Sequence, residues 1–274
     1  MVRLISNTVT IRDVAEAAGV SISLVSFVLN AKRGPNGEYL CSASKETAER
    51  IVDAAKRLGY KKNMAASSLR SGFSNTLGIV VADISNSFFG EFCRHIENIS
   101  AQAGYLSIFG SSDDNPEKMC QLLNRFIATG VDGLIVAPCA HTENLLSDIV
   151  RNSVPVVIFD RDLENLAGVG KVMMDNEYAG RQATRHLIEN GHKKIEMIRY
   201  QSDIPTILQR FTGYRNEMEE NGLACYVKDN IISKPTIGID MVDVIKNSYD
   251  RGVDALIFPS NVLTVKGLTA INSL

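Results

Sequence analysis

The sequence has no long uninterrupted apolar segment and no paired cysteines. No apolar run approaches about 18 residues, and the N-terminus has no apolar segment behind a basic start, so neither a membrane span nor a secretory signal is predicted. We therefore expect a cytoplasmic protein without a membrane partner. The five cysteines are scattered and include no CxxC pair, which disfavours a zinc or redox site and is typical of reduced thiols. No metal and no cofactor are expected.

Common catalytic motifs are also lacking. Segment 168–172 resembles a phosphate-binding loop, but Asn165 occupies the position of the required first glycine, and Val172 stands where serine or threonine is needed. The chain has no GxSxG elbow, and its four histidines show no HExxH spacing. Asp113 and Asp114 are interpreted as a helix-start signal rather than as an acid–base pair. An enzyme is therefore disfavoured.

Charge is unevenly distributed along the chain. Its 274 residues are 45% hydrophobic and 22% charged, a globular composition that predicts two or three folded units and excludes intrinsic disorder. Residues 1–72 contain 11 lysines and arginines against 6 acidic residues, a net charge of +5, whereas the remainder carries −7. A basic head on an acidic body suggests that the head binds a polyanion. A merely solvated basic terminus is the alternative.

Residues 10–30 have the pattern of two short helices joined by a tight turn. Thr10 is expected to cap the first helix and Gly19 to end it, while Ser21 is expected to cap the second. Apolar residues follow helical spacing in both segments, and the small Ala15 allows close packing. This pattern predicts a helix-turn-helix, whose second helix enters the DNA major groove. The spacing alone leaves a plain helical hairpin open.

The same stretch resembles the helix-turn-helix of the lactose and galactose repressor family. The matching residues of its start, turn and finish are Asp13, Val14, Ala15, Ala18, Gly19, Val20, Ser21, Val25, Ser26, Leu29 and Asn30. The resemblance implies binding of double-stranded operator DNA. Phosphate contacts are implied for Thr10, Ser21, Ser26 and Asn30, and contacts to base edges for Ile22, Ser23 and Phe27. The family often has arginine or histidine at Phe27, and an aromatic ring there favours contact with a thymine methyl over guanine.

The remainder of the head is expected to contain a third helix and a hinge. Ser44 is expected to cap that helix and Gly59 to close it. The loop before it is longer than is usual in the family, so Lys32 and Arg33 either contact phosphates or belong to a surface insertion. The resemblance implies that the following hinge becomes helical on the operator and kinks its minor groove. The hinge residues expected at the DNA are Asn63, Ala66 and Leu69.

From residue 77 onward, short apolar strands alternate with amphipathic helices. Strands are predicted at 77–83, 105–111, 133–138, 154–161, 194–199 and 255–260. Helices are predicted near 88–103, 116–129, 142–152, 177–190, 207–221, 237–251 and 262–273. This alternation predicts a doubly wound parallel α/β body with helices on both sheet faces. The carboxyl ends of the strands, marked by Asp83, Ser111, Pro138 and Asp160, should line a ligand crevice.

The body also resembles the effector-binding core of the same family, which is similar to periplasmic sugar-binding proteins with a ligand between two subdomains. The resemblance implies that Phe88 and Phe89 pack on the effector, that Asp160 and Arg210 bind its polar groups, and that Asn261 supplies an amide. Core packing is the alternative for the two phenylalanines, and a surface salt bridge is the alternative for Arg210.

The domain organisation expected from the sequence has four parts: a DNA-binding domain at 8–60, a hinge at 61–75, an N-subdomain at 76–172 and a C-subdomain at 173–274. Val262 departs from the family, which usually has aspartate there. The chain also stops at Leu274, earlier than the family, which suggests a fragment or a truncated product. If Leu274 is the true end, an incomplete C-subdomain with poor effector binding is expected.

The favoured function is sequence-specific transcriptional regulation by a homodimeric repressor or activator, with repression favoured, under the control of a sugar or nucleoside-like effector. Pairing of dimers into tetramers is left open. Two alternatives remain. A cytoplasmic sugar-binding module with a vestigial head would show no salt-dependent binding to specific DNA. An α/β enzyme acting on carbohydrates would retain turnover without residues 1–72.

Overall fold

The computed structural model describes residues 9–31, 43–61, 72–163, 165–201, 204–232 and 241–274. The chain divides into two compact units, residues 1–74 and residues 75–274. The first unit is called the head and the second the body. The positions Lys32, Arg33, Asn63, Ala66 and Leu69, for which DNA contacts were considered, lie outside the described residues.

The described part of the head contains three helices, and the local signals predicted for them are confirmed. They are α1 (Ile11–Ala18), α2 (Ile22–Asn30) and α3 (Lys45–Leu58). The Ser21 hydroxyl accepts a hydrogen bond from the Leu24 N–H at 3.2 Å, and Gly19 ends α1 in a left-handed conformation with φ of 64°. The Asp13 carboxylate accepts bonds from the Thr10 N–H and hydroxyl at 2.6 and 2.8 Å, which lower the pKa of Asp13.

A small apolar core holds the head together. Val14, Val25 and Ile51, one from each helix, are fully buried, and the small Ala15 is buried beside them. The chain bends by 104° between α1 and α2, which is the crossing expected of a helix-turn-helix. Among the described helices none alone is long and apolar enough to cross a membrane; α1 and α2 pass that test only as this bent pair.

The first part of the body is a five-stranded parallel sheet, called here the N-lobe (residues 75–172). Its strands are β1 (Thr76–Val81), β2 (Leu106–Ser111), β3 (Gly133–Val136), β4 (Val156–Phe159) and β5 (Gly170–Val172). Its helices are α4 (Ser87–Gln102), α5 (Pro116–Ala128) and α6 (Glu143–Arg151). The strand order is β2-β1-β3-β4-β5. Buried apolar clusters lie on both faces of the sheet, as predicted.

The second part, called the C-lobe (residues 173–274), repeats the pattern around a smaller parallel sheet. Its strands are β6 (Ile195–Tyr200), β7 (Lys228–Ile232) and β8 (Ala255–Ile257), in the order β7-β6-β8. Its helices are α7 (Asn176–Glu189), α8 (Pro205–Glu220), α9 (Met241–Asp250) and α10 (Asn261–Asn272). The six predicted strands and the described parts of the seven predicted helices occur within a few residues of their expected positions.

Two strands were missed because both lie at sheet edges. β5 is exposed along its whole length, and segment 168–172, compared above with a phosphate loop, contributes its Gly-Lys-Val residues to this strand. β7 begins with the polar residues Lys228 and Asp229. Neither strand therefore shows the continuous apolar run on which the prediction depended.

Helices α7 and α8 are joined by a buried carboxylate. The side chain of Glu217 is only 3% exposed. It accepts bonds from Arg185 Nε and Nη2 at 2.8 and 2.9 Å, and from Arg181 Nη1 at 3.4 Å. These bonds, with that of Arg185 the largest, hold the pKa of Glu217 below its usual value near 4.5. The bonds of Glu217 to the two arginines therefore stabilise the folded protein when the carboxylate is ionised.

Replacing Glu217 by glutamine is expected to destabilise the body by about 1.5–3 kcal/mol at neutral pH, because a charged hydrogen-bonding partner is lost. A folded pKa below the unfolded one contributes stability that is present above the unfolded value and is lost as the pH falls through the folded value. The difference between wild type and E217Q, measured by urea unfolding of the full chain at pH 7 and pH 3, should therefore shrink in acid. E219Q is the matched control, since Glu219 is exposed on the same helix. A difference that stays constant with pH would contradict this account.

Candidate nucleic-acid interface and ligand cleft

The outer side of α2 carries apolar side chains without any charge. Ile22 is 43% exposed and Phe27 is 51% exposed, and Ser23 is exposed between them. The nine residues of α2 contain no lysine, arginine, aspartate or glutamate. The structure thus places the three residues with predicted base contacts on the surface of the head, where they can meet a partner.

Several predicted phosphate contacts are engaged within the head. The Asn30 amide donates to the Ser26 carbonyl at 2.6 Å and to the Ser26 hydroxyl at 3.3 Å. The Thr10 hydroxyl donates to Asp13, and the Ser21 hydroxyl caps α2. These bonds hold the side chains at the ends of α1 and α2, and their contacts to phosphate stay predictions.

Exposed cations lie on the described flanks of the same unit. They are Arg12 on α1, and Lys45, Arg50, Lys56, Arg57 and Lys61 on or just after α3. Exposed carboxylates lie on the same helices, at Asp13, Glu16, Glu46, Glu49 and Asp53. Contact of the cations with the backbone of a polyanion therefore stays a prediction.

In the body, Asp160 follows β4 at the carboxyl edge of the N-lobe sheet. Its backbone is left-handed, with φ of 64°, a conformation that turns the chain sharply at the strand end. Its side chain is 18% exposed, and burial raises its pKa, while Arg161 and Arg210 lower it. The carboxylate therefore lies in a shielded site close to both cations.

Arg161 and Asp114 form an ion pair that sequence reasoning missed. Arg161 Nη1 lies 2.5 Å from Asp114 Oδ1 and 3.3 Å from the Pro138 carbonyl. Its Nε is buried without a hydrogen-bond partner and lies 3.7 Å from Asp160 Oδ2. Helix α5 does begin directly after Asp113 and Asp114, as the helix-start interpretation predicts, but the side chain of Asn115 caps it. Asp114 instead pairs with Arg161.

Arg210 is half-buried on α8 and held by two neighbours in the C-lobe. Its Nε donates to Asn176 Oδ1 at 2.9 Å, and its Nη1 donates to the Pro259 carbonyl at 2.6 Å. Burial lowers its pKa and Asp160 raises it. Arg210 and Asn261 both line a cavity of about 310 Å³ in the C-lobe. The charge of Asp160 in the N-lobe therefore acts on Arg210 in the C-lobe.

The predicted phenylalanine pair divides between surface and core. Phe88 is 46% exposed at the start of α4, whereas Phe89 is only 4% exposed. Phe89 packs edge-on against Phe159 with ring centroids 6.2 Å apart, and the Arg161 guanidinium lies 5.9 Å from its ring centroid. The core alternative thus describes the position of Phe89, while Phe88 is free to pack against a ligand.

Asn261 bridges the two lobes. Its side-chain amide, at the start of α10, donates to Asn86 Oδ1 at 2.7 Å and to the Ser87 hydroxyl at 3.3 Å. Asn86 Oδ1 also accepts from the Phe88 N–H and so caps α4. The amide that the sequence assigns to the ligand is therefore bonded to the N-lobe. Among the described residues no group of three or more histidine, cysteine, aspartate or glutamate side chains could hold a metal ion.

Two family models match this chain. Residues 10–63 match the model described as "Bacterial regulatory proteins, lacI family". Residues 74–257 match "Periplasmic binding proteins and sugar binding domain of LacI family". The two matches together cover the three helices of the head and most of the two lobes of the body.

Known proteins and solved structures are similar to this chain over most of its length. Catabolite control protein A of Priestia megaterium is 32% identical over 249 residues, covering 90% of this chain and 69% of that protein. The HTH-type transcriptional repressor PurR of Histophilus somni is 31% identical over 217 residues, covering 78% of this chain but only 62% of that protein. The chain therefore spans about two thirds of the length of these relatives.

The solved structures show that the fold is shared. The lac repressor dimer bound to operator and an anti-inducer has a TM-score of 0.79 at 19% identity, over 97% of this chain and 78% of that one. A LacI-family transcriptional regulator from Silicibacter pomeroyi has a TM-score of 0.74 at 24% identity with the same coverages. With both family models and a relative at 32% identity covering most of the chain, this protein belongs to the LacI family of bacterial regulatory proteins.

Proposed function

We propose that this chain is a sequence-specific DNA-binding transcriptional repressor whose affinity for its operator is set by a small molecule. The observation that carries the proposal is the combination, in one chain, of a helix-turn-helix head with an exposed α2 face and a two-lobed body with shielded charges between its sheets. We assign residues 8–60 to DNA binding, 61–75 to a hinge, 76–172 to the N-subdomain and 173–274 to the C-subdomain.

Regulation follows from differential binding to two arrangements of the body. A ligand that contacts both lobes stabilises the arrangement in which it fits better, and the two heads of a homodimer are then spaced well or badly for two operator half-sites. Joining two heads also raises their effective concentration at a two-fold operator. The similar solved structures include the lac repressor dimer bound to operator, a Cra regulator in complex with fructose 1-phosphate and a CelR–cellobiose complex.

For the effector we propose a hydroxyl-rich sugar or nucleoside-like compound. Phe88 offers an apolar face, Asp160 and Arg210 offer an acceptor and donors, and Asn261 offers an amide, a set that matches vicinal hydroxyls. The charges near the cleft are balanced: Arg161 pairs with Asp114 and lies 3.7 Å from Asp160, and the charge of Asp160 also acts on Arg210. Such balance favours an uncharged ligand over a phosphorylated one. Phe89 is assigned to support of this surface through the core.

The site supports binding rather than turnover, and operator binding implies action in the bacterial cytoplasm. The second candidate function is that of a sugar-binding module with a vestigial head. In such a module the hydrogen-bonding groups of the cleft would bind the sugar, and the head would have no function. The two functions differ in one measurable property: only the regulator prefers a DNA sequence, and its binding weakens steeply with salt.

The test is selection from random double-stranded DNA with the full chain, followed by binding measurements between 50 and 200 mM salt. The proposal expects a two-fold symmetric consensus, a steep loss of affinity with salt, and a change in affinity when one member of a sugar and nucleoside panel is added. Each neutral sugar is paired with its phosphate. Ligand stabilisation without any sequence preference would instead support the binding module.

A further inference from the structure

We propose that α2 reads thymine methyl groups, through an apolar reading patch formed by Ile22 and Phe27. The inference rests on the proposed function, in which α2 enters the major groove. It names the base feature that this particular chain recognises, and it depends on the side chains that the structure leaves exposed on α2.

Charged readout is absent from the described outer face of α2. This helix carries no ionisable side chain, so the bidentate arginine or lysine contact to guanine cannot be made from it. The Asn30 amide, which could otherwise read adenine, donates instead to the carbonyl and hydroxyl of Ser26. The Ser21 hydroxyl accepts from the backbone of α2 itself.

What remains exposed is mostly apolar. Ile22 and Phe27 are both close to half exposed, and nothing in the described head covers them further. This is unusual because large apolar side chains are usually buried. In the major groove the thymine C5 methyl is the apolar group that distinguishes one base pair from the others. Burial of these two side chains against methyls therefore removes apolar surface from water on both sides.

The spacing of the two residues predicts the spacing of their targets. They are separated along the helix axis by about 7.5 Å, from a rise of about 1.5 Å per residue. That length is about two base-pair steps, from about 3.4 Å per step. Helical geometry also places them at the two margins of the outer face, on either side of Ser26 and Asn30. Two separate thymines, about two steps apart in each half-site, are expected.

The probe is the duplex selected by the full chain from random DNA, with each thymine replaced in turn by deoxyuridine, which lacks only the methyl. Losing one contacted methyl is expected to weaken binding about fourfold, the effect of about one buried methylene. The same experiment is repeated with the variants I22A and F27A. Each variant should abolish the uracil effect at one position of the half-site and leave the other unchanged, whereas the control E49A, at an exposed position of α3, should keep both.

A second substitution separates the methyl from the rest of the base. At a sensitive position, a C·G pair should bind worse than the same pair carrying 5-methylcytosine, because only the latter restores a methyl at that place in the groove. Sequence preference that survives uracil at every position, or a uracil effect unchanged in both I22A and F27A, would overturn the proposal while leaving the regulatory function intact. Absence of any sequence preference would overturn both.

Discussion

Replacing Arg210 by methionine is expected to weaken effector binding about 30-fold or more and to remove the effector's influence on DNA binding. Methionine keeps the apolar stem but deletes a half-buried cation, and loss of one partner from a hydrogen-bonded charged contact costs about 2–5 kcal/mol. Arg210 is fixed by Asn176 and the Pro259 carbonyl, so its position is set before a ligand arrives. Titration of the most stabilising sugar, by calorimetry on the full chain, measures the loss.

The matched control is R215M, in which an exposed arginine of the same helix α8 is removed. Arg215 faces Glu219 at 3.9 Å on the surface, and such pairs contribute little. R215M should bind effector as wild type does, and both variants should bind operator without effector. Equal effector affinity in R210M and wild type would show that Arg210 lies outside the ligand site.

Replacing Gly213 by alanine is expected to destabilise the body by about 3 kcal/mol or more, because the added methyl has no space. A Cβ at Gly213 would lie 2.0 Å from the Glu177 carbonyl oxygen and 2.8 Å from the Arg181 backbone nitrogen. Gly180 on the facing helix is equally close, since its Cβ would lie 2.1 Å from the Arg210 carbonyl oxygen. The backbones of α7 and α8 are in contact at this point, so relief requires the helices to separate. Chemical unfolding of the full chain measures the cost.

G90A is the control for the helix propensity that every such substitution adds. A Cβ at Gly90, in α4, meets only the Ile84 carbonyl oxygen at 3.4 Å, and alanine gains about 1 kcal/mol of helix propensity over glycine. G90A should therefore be neutral or slightly stabilising. If G213A is as stable as G90A, the helices are not packed as closely as described.

The helices of the head could be predicted from the sequence because they depend on short-range patterns. Its caps are local: Ser21 bonds to Leu24 three residues later, and Gly19 needs only its own left-handed backbone. The apolar spacing of α1 and α2 points both helices at a common core. The family resemblance then supplied a role for α2 that helical spacing alone could not distinguish from a plain hairpin.

The side-chain partners of Arg161 and Arg210 could not be predicted in the same way. Asp114 and Arg161 are 47 positions apart, and Asn176 and Arg210 are 34 apart. The first pair forms only after the parallel strands have aligned their carboxyl ends, and the second only after α7 and α8 have packed together. The sequence also does not distinguish Phe88 from Phe89, since adjacent helix residues differ by about 100° around the axis and only the packed sheet decides which is covered. For Arg210 and the phenylalanine pair the sequence indicated the residues but not their partners, and it did not indicate the ion pair of Asp114 and Arg161.

The hydrogen bond between Asn261 and Asn86 would be in competition with any ligand that used the Asn261 amide. If the Asn261 amide donates a hydrogen bond to a ligand hydroxyl, it no longer donates that bond to Asn86 of the opposite lobe. Ligand binding and the contact between the lobes therefore require the same donor. The measured affinity of any ligand that uses Asn261 then already includes the loss of that internal bond. Tightness of binding and freedom of the two lobes are in this way linked through a single side chain.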